Sequence, residues 1–184
     1  MTTRLFSFAG GNTGRWRVQS MNTLAGESLA VVEALELVEG DAGPLHDSRW
    51  VLRGITSNER YVTREEKDSL VAKQQGLGRS LSRCAALIPL RKSAGWWTLT
   101  QDERRQIFED HSRHIAIGMK YLPAIARRLH HCRDLGPDEP FDFITWFEFT
   151  EADTAAFDEM LKVLHASPEW RYVNREVDIR LRLA

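Results

Sequence analysis

Apolar and polar positions change period several times along the chain, and each change marks an element. Over residues 100–122 apolar side chains recur at Ile107, Phe108, Ile115, Met119 and Leu122, the spacing of a helix with one buried stripe. Thr100-Gln-Asp-Glu103 ahead of it is a capping-box sequence: a Thr oxygen for an orphan N–H, and a Glu three residues on to reach back. Pro123 has no N–H and disfavours helical geometry in the residue before it, so the helix is predicted to stop there. Beyond it the period drops to two. Ile125, Arg127, Leu129 and His131 alternate with Ala126, Arg128, His130 and Cys132, which predicts a strand over 124–132. His114 lies beside the helix's apolar stripe and Arg127 in the inward row of the strand. In one continuous helix, thirteen residues at about 100° each would turn them to different sides; the break lets both face one cavity.

The rest of the chain reads in the same way. Residues 5–9 and 15–21 are predicted strands about Gly10-Gly-Asn-Thr-Gly14, taken as a hairpin turn; it lacks the Gly-Lys-Ser/Thr ending of a phosphate loop. Residues 28–38 are predicted helical, with Leu29, Val32, Leu35 and Leu37 near one face. Asp41-Ala-Gly-Pro44 is a turn. Residues 49–62 read as a strand pair or one bent strand, interrupted near Ser57-Asn58. Thr63 caps a helix through Glu65, Glu66 and Leu70 to Gln75, stopped by Gly76 and Gly78. Strands follow at 85–90 and 141–149, the latter after a loop with Gly136-Pro137. Thr150-Glu-Ala-Asp153 opens a helix carrying Phe157, Met160, Leu161 and Leu164. A last strand at 170–183 puts Val173, Val177, Ile179, Leu181 and Leu183 on one face. Residues 79–184 therefore run β-α-β-β-α-β, a ferredoxin-like order in an α+β fold. Residues 1–78 look like a shortened copy, without a sequence repeat, and nothing near 77–82 reads as a flexible linker.

Composition narrows the function. A chain of 184 residues is one compact unit or two small fused halves. A formal charge of −1 gives no basic field for nucleic acid. Two cysteines, Cys84 and Cys132, make no disulfide framework and favour a reducing compartment. No secretory signal is visible, and no apolar run nears the roughly 20 residues that span a bilayer. The expectation is a soluble, cytoplasmic protein with no membrane partner. Six tryptophans suit a large flat apolar ligand, and equally a core or a dimer interface.

An arginine in an apolar row is costly unless it is paired or faces a ligand, or snorkels to water. A histidine on an apolar stripe is either a hydrogen-bonded core residue or a ligand. His111 and His114 together have a spacing that permits a non-haem metal pair, but no third ligand stands nearby in sequence.

Several motifs carry more. Ile88-Pro-Leu-Arg-Lys-Ser-Ala-Gly-Trp-Trp97, then Glu103-Arg104, Phe108, His114, Tyr121 and Arg127, then Phe141-Asp-Phe-Ile-Thr-Trp-Phe-Glu-Phe149 and Glu169-Trp-Arg-Tyr-Val-Asn-Arg-Glu176 resemble the chlorite dismutase family. The resemblance runs from about residue 49 to the C-terminus and is to the family's short, dimeric branch. It implies two ferredoxin-like halves forming a dimeric α+β barrel, one haem b per subunit, chlorite as the small anionic substrate and a homodimer. His114 would be the proximal ligand of the haem iron; its spacing to Arg127 and to Tyr121 favours it over His111. Glu169 would take the other ring N–H of His114, and Lys92 would complete that network. Without the resemblance, Glu169 reads as a surface residue at a strand start. Arg127 would be the distal residue. In the family reaction oxygen passes from chlorite to the iron, giving a ferryl intermediate, and an arginine can hold the hypochlorite left beside it until chloride and dioxygen form. Gln74 matches a glutamine that touches the distal arginine. Tyr61 and Trp96 match positions that reach the haem propionates, Trp97 is expected to wall the proximal side, and Thr145, Phe147 and Leu129 are candidate lining residues. Coproheme decarboxylases share the fold but carry glutamine where Arg127 stands, and no Gly-x-x-Asp-Gly motif of dye-decolourising peroxidases occurs. A haem-binding or haem-sensing protein with incidental activity is the alternative of another class.

Overall fold

The computed structural model describes residues 4–43, 47–58 and 60–184. Among these, eight strands and five α-helices are formed. The strands are β1 (Leu5–Gly11), β2 (Trp16–Ala25), β3 (Ala34–Glu39), β4 (Ser48–Thr56), β5 (Cys84–Lys92), β6 (Ala126–His131), β7 (Phe143–Phe149) and β8 (Val173–Leu183). The helices are α1 (Arg64–Lys73), α2 (Ala94–Thr98), α3 (Gln101–Arg105), α4 (His114–Lys120) and α5 (Thr154–His165).

The strands close into one antiparallel barrel in the order β1-β3-β2-β8-β5-β7-β6-β4. The first four strands stand 4-1-3-2 in space, and so do the last four. The two sets meet at β2 against β8, over most of both strands, and at β4 against β6, where only Ile55↔His131 and Thr56↔His130 pair. The barrel is filled from both sets: Phe6, Phe8, Trp16, Leu35, Leu52, Leu87, Trp146 and Ile179 form one cluster. A second cluster lies outside it. Phe157, Met160, Leu161 and Leu164, the buried stripe of α5, pack on Ala86, Ile88, Phe147 and Phe149. Helices therefore cover the sheet over β5–β7, and the site lies in that second layer.

Several sequence expectations are corrected. Residues 28–38 are not a helix. The 34–39 segment is β3, whose Leu35 and Leu37 pair with Gly10 and Phe8 of β1. The same apolar spacing fits a strand once 28–33 runs extended, and pairing between two neighbours outweighs weak helical propensity. Residues 10–14 are not a hairpin turn, because β3 is inserted between β1 and β2. Residues 49–62 hold a single strand that ends at Thr56, and Tyr61 then takes a left-handed conformation (φ 65°). Asp41 Oδ1 accepts the Gly43 N–H at 3.1 Å, and the rest of the expected turn, at Pro44, lies outside the described residues. The predicted helix over 100–122 begins as expected, with Glu103 Oε2 accepting the Thr100 N–H at 2.8 Å. It does not continue. A π-helical turn, Gln106–His111, follows α3, Arg113 is left-handed (φ 56°), and α4 starts afresh at His114. Glu169 belongs to a 3₁₀ turn, Pro168–Tyr172, ahead of β8.

Gly54, beside the short β4–β6 seam, has no room for a side chain. A Cβ there would stand 2.6 Å from His130 Cβ and 3.2 Å from Cys132 Sγ, both buried. Gly54→Ala is expected to lower the unfolding free energy by about 1–3 kcal/mol in urea titrations. An unchanged midpoint would mean that the seam yields.

Candidate functional site

The cavity lies between the outer face of β5–β7 and a roof made by α1, the π turn, α4 and α5. It encloses about 1430 Å³ of empty space, its open mouth included. Its walls are mostly apolar, from Ile88, Leu90, Phe108, Ile115, Phe147 and Leu164. The row of β6 with Ile125, Arg127 and Leu129 faces this layer, not the barrel interior, which receives His130 against Phe6 and Phe8.

His114, the first residue of α4, is fixed on three sides. Its Nδ1 lies 2.7 Å from Glu169 Oε2. Phe108 stacks on the ring at 4.3 Å between centroids, and Trp170 lies nearly parallel at 6.3 Å. A carboxylate only accepts, so Nδ1 carries the hydrogen and Nε2 is the nitrogen left to meet a ligand. Glu169 Oε1 accepts from Lys92 Nζ at 2.6 Å, and both side chains are buried. Burial alone would push the Glu169 carboxyl up, but Lys92 and then His114 outweigh it and hold it at about 2. Lys92 is aimed there by a register shift in β5 between Arg91 and Lys92, and its backbone N–H is held by Asp142 Oδ2 at 2.7 Å.

Arg127 lines the same cavity. Gly118, one turn after His114, lies against it: a Cβ on Gly118 would be 3.5 Å from Arg127 Nη1. Among the described residues no carboxylate pairs with this guanidinium. Burial pulls its pKa down, but arginine starts so high that it stays charged. Gln74 reaches the arginine through its backbone, donating from Nε2 to the Arg127 carbonyl at 3.0 Å. Tyr61 Oη and Trp96 Nε1 are buried in the wall without a hydrogen-bond partner among the described residues. Thr145, Phe147 and Leu129 line the cavity. Trp97 does not. It points to the other side, stacks on Phe143 at 6.0 Å and donates to Asp142 Oδ2 at 3.1 Å. Neighbouring residues of one short helix diverge by about 100°, so Trp96 and Trp97 could not share a wall. His111 is exposed on the π turn and away from the cavity.

These residues fit a haem. The cavity is roomy and mostly apolar, His114 Nε2 is left for a ligand, and among the described residues two buried donors lining it lack acceptors. A flat apolar macrocycle with a metal centre and carboxylate tails would satisfy each.

A family model described as chlorite dismutase matches residues 23–181. The chain belongs to the chlorite dismutase family. It is similar to a dimeric chlorite dismutase from Nitrobacter winogradskyi of known structure: 52% identical, TM-score 0.90, covering 97% of this chain and 99% of that one. A structure of a mutant chlorite dismutase from Candidatus Nitrospira defluvii, in complex with cyanide, is 18% identical with a TM-score of 0.67, covering all of this chain and 92% of that one, and shares the fold. Chlorite dismutase from Ideonella dechloratans is 31% identical over 123 residues, 66% of this chain, and the match spans only 40% of that longer protein.

Beyond the residues anticipated for this member of the chlorite dismutase family, the structure adds Phe108 and Trp170 as the faces that clamp His114. Both stood inside the quoted motifs, where their type pointed equally to core. Arg105 is a further addition. It holds Glu66 through two bonds of 2.7 Å and also donates to the Tyr61 carbonyl, fastening the roof over the cavity.

The depressed Glu169 carboxyl has a measurable consequence. Its stabilisation is complete above about pH 4.5 and is lost as pH falls toward about 2. Glu169→Gln mimics the protonated form, so the unfolding free energies of wild type and variant are expected to converge through that window, by about 3 kcal/mol. Urea titrations between pH 2 and 6 would measure this, and parallel curves would remove Glu169 as a source of stability.

Proposed function

We propose that this protein is a haem b-dependent chlorite dismutase, a chlorite O2-lyase that converts chlorite to chloride and dioxygen. The observation that carries the reading is the buried Lys92–Glu169–His114 chain sharing one cavity with an arginine that has no carboxylate partner among the described residues. His114 Nε2 would hold the haem iron. Glu169, accepting from Nδ1, fixes the ring and makes it more electron-rich, and Lys92 keeps that carboxylate ionised. Tyr61 Oη and Trp96 Nε1 would donate to the propionates. Thr145, Phe147 and Leu129 would line the cofactor. Bound haem supplies the redox chemistry at its iron.

Arg127 draws in an anionic oxidant and holds it by charge and by donors lying in one plane. The same contact retains transient hypochlorite in the cavity instead of letting it escape to solvent. Gln74, fixed on the Arg127 carbonyl, supports that residue's place in the strand. No general base enters this scheme, because no net proton moves.

The assembly we propose is a homodimer of the short branch, after the dimeric Nitrobacter relative. Each chain would comprise two ferredoxin-like halves, 1–78 shortened and 79–184 holding haem. The unpaired thiols of Cys84 and Cys132 fit a cytoplasmic setting. No helix among the described residues is long and apolar enough to cross a membrane.

Oxygen evolution from chlorite, followed with a Clark electrode on haem-loaded protein, tests the reading. Rapid release is expected. Haem loading without oxygen would instead favour a haem binder. Arg127→Ala should keep its haem yet stop early, bleached by escaping hypochlorite; an undiminished total turnover would remove the retention role. His114→Ala should lose or greatly weaken haem binding, and normal loading in that variant would move the ligand elsewhere.

A further inference from the structure

The break ahead of His114 has its own fastening. When the π turn and the left-handed Arg113 interrupt the helix, the first N–H groups of α4 lose their partners. Glu109, only 9% exposed, supplies the replacement. Its Oε2 accepts from Ile115 N at 2.6 Å and its Oε1 from Ala116 N at 3.3 Å. Ser112, buried at the same break, accepts the Glu169 N–H on its Oγ at 2.9 Å. Both partners of the His114–Glu169 bond are therefore referenced to one turn. His114 is set by the helix start that Glu109 holds, and Glu169 by Ser112. The two residues stand 55 positions apart in sequence, yet meet at 2.7 Å.

We propose that Glu109 is a positioning residue for the iron ligand: it fixes the start of α4 and, with Ser112, sets the distance and angle at which His114 meets Glu169. This rests on the reading of His114 as haem ligand. A carboxylate suits the task better than an amide. Two N–H groups need two acceptor oxygens, whereas glutamine offers one, and its NH2 would face a donor. The negative charge also stands at the positive end of α4. At the metal the consequence is electronic. Any drift of α4 lengthens the Nδ1–H bond to Glu169 and makes the ring a poorer donor.

The test uses Glu109→Gln and Glu109→Ala in the full chain, read first without haem. The His114 Nδ1 proton should give a far-downfield NMR resonance, assigned by its loss in Glu169→Gln. In Glu109→Gln, which keeps the shape of the side chain, that resonance should move upfield or broaden away. Amide exchange at Ile115 and Ala116 should accelerate ~10-fold or more. Haem-loaded samples give an independent reading. The ferrous iron–histidine stretch in resonance Raman should fall in frequency, and haem transfer to excess apomyoglobin should quicken about 10-fold. Resonance, exchange and stretch all unaltered in both variants would overturn the positioning role, whatever happened to thermal stability. A chain whose downfield resonance depends on Glu109 but that takes up no haem would uphold the turn's hold on His114 and overturn the haem reading instead.

Discussion

The meeting of Lys92, Glu169 and His114 is the constraint on which the site depends. Three polar side chains leave three separate elements, the end of β5, a 3₁₀ turn and the start of α4, and converge where water is largely excluded. None of them is tolerable there alone. A buried carboxylate without its ammonium, or the reverse, is an uncompensated charge that costs about 3–5 kcal/mol. The cluster forms only if all three elements are in place, so the positions of β5, the 168–172 turn and α4 are mutually enforced. Asp142 extends the constraint by holding the Lys92 backbone while also taking the Trp97 indole N–H. Trp97, absent from the cavity wall, still matters to the site through that shared carboxylate.

Much of this architecture was legible in the chain. The alternation of 125–132 and 141–149, and the apolar stripe of α5, describe their elements because each packs one face on a single layer. The 28–38 segment misleads for a physical reason. Leu29, Val32, Leu35 and Leu37 fit a helical stripe, but a strand slot between β1 and β2 satisfies more backbone groups than an isolated helix could. The break near His111 has no signature in composition either. Ile107, Phe108 and Ile115 keep helical spacing across it, and nothing in their pattern shows that the turn folds Glu109 under α4. The consequence for the site is direct: the break turns His111 out to solvent and leaves His114 beside Glu169.

The two polar groups of the cavity carry opposite electrostatic logic. On the His114 side Lys92 and Glu169 cancel, and what reaches the imidazole is a directed hydrogen bond with little net field. On the Arg127 side no carboxylate cancels the guanidinium among the described residues, so its charge acts across a mostly apolar space. A compact core would not retain such an arginine without a reason, since an aliphatic side chain in the same row beside Ile125 and Leu129 would pack at lower cost. An anion seated in the cavity would offset that cost.

That asymmetry also bears on order of binding. Tyr61 and Trp96 present neutral donors with no acceptor among the described residues, whereas Arg127 presents a full charge. Neutral donors discriminate by position and hold a large ligand whose other contacts already place it; a buried charge acts at longer range and on small mobile anions. The donors suit a resident group and the arginine a transient one. A cofactor seated first would narrow the space in front of Arg127 and exclude water from it. The arginine's attraction for an anion would strengthen at the moment that a reacting centre becomes available beside it.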